Sequence, residues 1–163
     1  MISIEQVIQK AIAYDKGDAR RIHHFLKVSA YADTIGRLEG LSANRLAILQ
    51  TAAVLHDIGI HKAEEKYGSS SGHFQEIEGP APARAILEEL GAAEDFIERV
   101  TFLIAHHHTY SDVDGVDYQI LLEADFLVNA YEDQLKPEAV RTFKEKVFRT
   151  KTGLELLKYT YGV

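Results

Sequence analysis

Residues 120–131 read ILLEADFLVNAY. A helix over this stretch carries apolar side chains almost all the way round, so it belongs at the centre of a helical bundle. Its charged members then need partners, because a carboxylate taken out of water unpaired is costly. Asp125 has no Lys or Arg within four positions on either side. Its counter-charge must come from another helix or from a metal ion, and the lack of intrahelical partners favours metal or catalytic use.

The flanking sequence extends the helical reading. Residues 46–59, LAILQTAAVLHDIG, form a second very apolar helix that closes on His56-Asp57, with Gly59 close behind. Ser3 and Gln6 have the spacing of a capping box and open a helix from about Ile4 to Tyr14. Ala19 to Leu38 is the next, with Gly40 where a C-terminal glycine belongs. Ser42 caps the helix from Ala43 to about His56. Further helices are expected over Pro80–Leu90, Glu94–His107, Val116–Tyr131 and, as one unit, Glu138–Tyr159. Residues 60–78 are the least regular, and Gly68-Ser-Ser-Ser-Gly72 reads as a mobile loop. The fold expected is an all-α, single-domain bundle over residues 1–163.

Composition narrows the function. The chain has 163 residues, a formal charge of −7 and no Cys. Disulfides, iron–sulfur clusters, thiolate zinc sites and cysteine nucleophiles are therefore excluded. No apolar run approaches the ~20 residues of a membrane span, and the N-terminal MISIEQVIQK is too polar for a signal peptide, so a cytoplasmic location is the default expectation. The acidic balance, with pI about 5.6, argues against a nucleic-acid polymer as partner. Eight His among so few residues is the odd feature.

Helical phase sorts these histidines. In residues 21–32, RIHHFLKVSAYA, His24 falls on the edge of the stripe formed by Phe25, Val28 and Ala32, while His23 falls on the polar side with Lys27. A lone His at such an edge more often packs and hydrogen-bonds than ligates. Asp57 follows Val54-Leu55 and precedes Ile58, so the His56-Asp57 pair is expected inside rather than solvated at a helix end. In residues 96–108, FIERVTFLIAHHH, His107 lands about 20° from Phe96, within the apolar face, whereas His106 and His108 lie to either side. His73 and His61 lie in the irregular segment, where a surface position is the simpler account of each. Together, imidazole and carboxylate make a nitrogen and oxygen site suited to iron, manganese, cobalt, nickel or zinc.

At this point the chain resembles the HD-domain metal-dependent phosphohydrolases. RIHHFLKVSAYA matches the first His of that family, VLHDIG the paired His-Asp, and LLEADFLVNAY the distal Asp. The resemblance spans about residues 20–131, with a C-terminal helical extension. It implies that His24, His56, Asp57 and Asp125 coordinate a divalent metal. Dinuclear members carry further His between the pair and the last Asp, which maps to His73, His106 and His107. The Lys that often follows HDIG maps to Lys62. The GYP element of the branch that cleaves cyclic dinucleotides is absent; TYSDVDGVDYQ stands there instead.

The resemblance thus implies one or two divalent ions, iron or manganese first, then cobalt, nickel, zinc or magnesium. The expected activity is hydrolysis of a phosphoester or phosphoanhydride in a small molecule, foremost a nucleotide, with Asp57 and Lys62 as catalytic residues. Arg20, Arg21 and Arg84 compete with Lys62 as phosphate partners. A metal-stabilised nucleotide-sensing module with little turnover, and a bundle whose His merely pack, are the alternatives. Membrane partners are not expected, and a homo-oligomer is open.

Overall fold

In the computed structural model, which describes residues 2–163, Ser3 accepts from the Gln6 backbone N–H while the Gln6 side chain accepts from that of Ser3. This capping box opens α1 (Ile4–Tyr14). Asp18 caps α2 (Ala19–Leu38), which ends in a pair of reversed hydrogen bonds, Gly40 N–H to Arg37 O and Leu41 N–H to Gly36 O. That arrangement places Gly40 at φ +77°, where a glycine is favoured. Ser42 caps α3 (Ala43–Leu55), as expected, with His56 as its last half-helical residue.

The remaining elements are α4 (Ile60–Tyr67), α5 (Gly72–Glu78), α6 (Pro80–Glu89), α7 (Glu94–His106), α8 (Val116–Glu132), α9 (Pro137–Val147) and α10 (Lys151–Tyr161). Among the described residues there is no strand, and no helix is long and apolar enough to cross a membrane. The all-α bundle is therefore what forms. At its centre lies α8, whose Tyr118, Ile120, Leu121, Leu122, Ala124 and Leu127 are all at most 1% exposed. Around it pack α2 and α3, with α7 behind α3 and α10 against the far end of α8. Burial of this kind is the main favourable term in folding.

Two expectations need correction. Residues 60–78 are not irregular: α4 buries Ile60 and Ala63 and stops at Gly68 in the left-handed conformation, and α5 then turns Gln75 inward. The Gln75 side-chain amide donates to the Ser70 carbonyl at 2.6 Å and ties the connecting turn down. Between the two helices residues 68–71 remain a short loop, as expected. Residues 138–159 are not one helix either. Phe148 is extended, and the buried Glu123 carboxylate of α8 accepts from the backbone N–H groups of Arg149 and Thr150 at 2.9 and 3.0 Å. Those donors are lost to a continuous helix, so α9 ends and Thr150 caps α10.

Candidate metal centre

Four helix ends and faces converge. His24 comes from the inward face of α2, His56 and Asp57 from the end of α3, His107 and His108 from the turn after α7, and Asp125 from the middle of α8. His24, His56, His107 and Asp125 are 2%, 0%, 1% and 6% exposed. The chain leaves His56-Asp57 through Gly59, where a Cβ would come within 2.6 Å of the Gly79 backbone N. Only glycine lets the α5–α6 junction approach so closely, and this contact holds the His-Asp turn against α5.

The imidazoles share one orientation. His24 Nδ1 lies 2.6 Å from Glu132 Oε1, His56 Nδ1 2.7 Å from Ala53 O, and His107 Nδ1 2.6 Å from Ile104 O. A carbonyl oxygen only accepts, as does an ionised carboxylate, so each Nδ1 carries the proton and donates. Every Nε2 then points into the cluster. His24 Nε2 lies 3.1 Å from Asp57 Oδ2 and 3.2 Å from Asp125 Oδ1. His56 Nε2 lies 3.2 Å from Asp125 Oδ1 and 3.4 Å from Asp57 Oδ2. The other Asp57 oxygen, Oδ1, lies 3.4 Å from His107 Nε2.

This arrangement demands positive charge. A neutral imidazole protonated at Nδ1 presents a lone pair at Nε2, and a lone pair facing a carboxylate oxygen is repulsive. Either a second proton or a cation must lie between them. With protons alone, burial would lower His24, but Asp125 and Asp57 override it and raise the ring from 6.5 to about 10. Burial likewise opposes charge on His56, and Asp57 and Asp125 raise it. The reciprocal holds for the acids. Burial pushes Asp57 up, yet His56, His107 and His24 hold it well below the ordinary carboxylate range. Asp125 is lowered against its own burial by His56 and His24.

Two pockets result, one on each side of Asp57. The first is His24, His56 and Asp57, with Asp125 Oδ1 against both imidazoles; the second is Asp57, His107 and His108. Within each triad, one ligand-type atom per residue lies within 4.8 Å of the others. Imidazole nitrogen and carboxylate oxygen are a donor set for divalent first-row metals, so these residues fit the ions that the sequence implied.

The structure does not bring all the candidate residues here. His106 donates from Nδ1 to Phe102 O, and its ring stacks on Phe102 with centroids 4.1 Å apart. It is the last residue of α7, and it joins no ion pair with Asp57. His73 is exposed on α5 beside Phe74. Lys62 is exposed on α4 and joins no ion pair to the cluster. The cation that does approach is Arg21, whose Nη1 lies 3.8 Å from Asp57 Oδ2.

Conversely, His108 is not solvated. Burial, then His107, lowers its ring to about 4, so it stays neutral, and its Nε2 lies 2.9 Å from Gln75 Oε1. The same Gln75 oxygen is 3.2 Å from His107 Nε2. Phase arithmetic placed His108 off the inward face because α7 has already ended at His106, and 100° per residue no longer applies. Gln75 carried no signal in the sequence. His23 is exposed as expected, and the half-exposed His61 pairs with Asp18 at 3.2 Å.

A groove of about 710 Å³ runs between the segment after α7 and α9, lined by Tyr110, Ser111, Ala139, Thr142, Phe143 and Lys146. Phe143 stacks on Phe126, the residue after Asp125, at 3.8 Å and meets Tyr110 edge-on. Burial, then the Asp125 and Glu76 charges, pushes the Tyr110 hydroxyl up to about 12.

The HD-domain family profile matches residues 21–144, a span that contains every residue of both pockets. No curated protein matches the chain. The crystal structure of a predicted HD superfamily hydrolase from an uncultured Thermotogales bacterium is similar to it, with a TM-score of 0.66 and 25% identity over 98% of this chain and 83% of that one. With the profile spanning most of its length, this chain belongs to the HD-domain family.

Proposed function

We propose that the protein is a metal-dependent phosphohydrolase acting on a small molecule, foremost a nucleotide. The observation that carries the reading is the placement of Asp57, whose two oxygens face two separate sets of imidazoles. His24, His56, Asp57 and Asp125 would hold one divalent ion, and Asp57, His107 and His108 a second, with Gln75 Oε1 at the edge of that second pocket. Bound ions of this kind make a water nucleophilic near neutral pH and screen the charge that develops on phosphoryl oxygens.

The protein's own groups prepare for that chemistry. Each Nδ1–H bond fixes its ring so that Nε2 is the ligating atom, at no cost in ordering when the ion arrives. Arg21, one of the four cations the sequence offered as phosphate partners, would meet a substrate phosphate at the rim. The groove lined by Tyr110, Phe143 and Lys146 has the size of a small-ligand site, and its aromatic lining would take a base. These features support a nucleotide over an alkyl phosphate.

The test is turnover of nucleotides, dinucleotides and alkyl phosphates by chelated protein reloaded with manganese, iron, cobalt or magnesium. Chelation is expected to lower turnover by at least about 100-fold, with manganese or iron restoring it. Unchanged turnover after complete metal removal overturns the reading. Micromolar nucleotide binding without turnover on any metal replaces it with a sensing module.

A further inference from the structure

Of the three inward imidazoles, only His24 donates its Nδ1 proton to a charged group. We propose that Glu132 is a positioning residue that fixes the His24 tautomer and strengthens its Nε2 as a donor, with Lys27 moderating the effect. The proposal rests on the reading of His24 as a metal ligand.

The placement follows from helix geometry. Glu132 is the last residue of α8, seven positions after Asp125. Seven residues bring a side chain back to the same face of a helix, two turns on. So α8 meets His24 twice, with Asp125 Oδ1 at Nε2 (3.2 Å) and Glu132 Oε1 at Nδ1 (2.6 Å). The second Glu132 oxygen is not idle. Lys27 Nζ lies 2.7 Å from Oε2, and Lys27 sits three residues beyond His24, on the neighbouring turn of α2.

The charge distinguishes this bond from the others. His56 and His107 donate to the backbone carbonyls of Ala53 and Ile104, which are neutral and fixed by their helices. A carboxylate acceptor draws the Nδ1 proton more strongly and makes the opposite nitrogen more basic, as in other carboxylate–histidine–metal sites. The Glu132 side chain is only 16% exposed, so water screens it weakly, whereas that of Lys27 is 46% exposed. Lys27 therefore cancels only part of the Glu132 charge.

A plain ion pair tying α2 to α8 is the competing account, and two variants separate the readings because they are expected to act in opposite directions. Glu132→Gln keeps an acceptor near Nδ1 but removes the charge. Lys27→Met leaves the charge and removes its partner. The readout is the dissociation constant for manganese and for cobalt, measured by competition with a chelating dye at fixed pH. Glu132→Gln is expected to weaken the tighter ion about 10–100-fold, Glu132→Asp to recover part of the loss, and Lys27→Met to bind at least as tightly as wild type. Equal weakening by Glu132→Gln and Lys27→Met, or a Glu132→Gln affinity within about threefold of wild type, overturns the proposal in favour of a structural ion pair. Wild-type protein that binds neither ion overturns the ligand reading of His24 first, and this proposal with it.

Discussion

Asp57→Ala is expected to abolish metal binding and turnover together. Asp57 is the one residue shared by both pockets, with Oδ2 3.1 Å from His24 Nε2 and Oδ1 3.4 Å from His107 Nε2. Removing it leaves each pocket short of its shared anion. The expected loss in kcat/KM is on the order of 10³-fold or more, about 4 kcal/mol of transition-state stabilisation. The metal-free proteins should differ too. Asp57 is lowered in the fold, so its contribution to stability is present above its ordinary 3.8 and fades as pH falls. His24 is raised to about 10, so its contribution is full below 6.5 and fades as pH rises through about 10. The variant should therefore melt below wild type across roughly pH 4–10, with the gap closing toward either end. Added manganese should raise the wild-type Tm and leave that of Asp57→Ala unmoved, because only a ligand that binds the folded state stabilises it. Thermal melts against pH, with and without metal, read all of these effects. A variant that keeps wild-type turnover or metal-dependent Tm contradicts the assignment.

The second large effect is on stability alone. Glu123 is fully buried, and its carboxylate accepts from Arg149 N–H, Thr150 N–H, Thr150 Oγ1 and the Gln119 amide. It is the joint between α8 and the α9–α10 corner. Glu123→Ala opens a cavity and strands the Arg149 and Thr150 N–H groups and the Thr150 hydroxyl at once, while the Gln119 amide keeps its bond to Val147 O, at a cost of about 1–3 kcal/mol for each fully unsatisfied donor. A total loss of about 3–5 kcal/mol is expected, equivalent to a Tm lowered on the order of 10 °C. Thr150→Ala removes one partner and the α10 cap, and should cost about 1–2 kcal/mol. Because Glu123 and Asp125 point to different faces of α8, turnover by the folded fraction at low temperature should stay within a few-fold of wild type. Denaturant melts and assays below the transition distinguish the two readouts; a Tm within about 2 °C of wild type would contradict the account of the corner.

Most of the helices were legible because local rules and tertiary packing agree in them. Ser3, Ser42 and Gly40 are caps whose chemistry acts over a few residues, and the apolar run of residues 120–131 needs no partner to be recognised as central. The chain was misread where a distant group decides. The break at Phe148 is imposed by Glu123, more than twenty positions away in sequence, while the Phe, Leu and Tyr spacing runs on through it. Residues 60–78 look irregular because α4 and α5 are short and bury few residues, and they are held by the Gly59–Gly79 approach rather than by propensity.

The same distinction divides the site. His24, His107 and Asp125 announced themselves as polar groups on apolar faces, and His56-Asp57 as a polar pair inside an apolar run. His106, beside His107 in sequence, turns to Phe102 instead. His108 and Gln75 meet only because α5 folds back across the turn after α7, a contact between elements that no periodicity encodes. Arg21 rather than Lys62 lies near Asp57 for a related reason: α2 passes beside Asp57, while Lys62 is exposed on α4. Glu132 was within reach of the arithmetic, seven residues from Asp125, but an acidic residue at the end of a helix is ordinary until His24 is seen against it.

If Asp57 joins two cation sites, the metal content of protein purified without a His tag reads both of them. Elemental analysis is expected to find two divalent first-row ions per chain, iron or manganese, and none in Asp57→Ala purified in parallel. One ion per chain would retain the His24–His56 pocket and remove the His107–His108 pocket. Folded wild-type protein that holds no divalent ion, and takes up none when manganese or iron is supplied, would contradict the account.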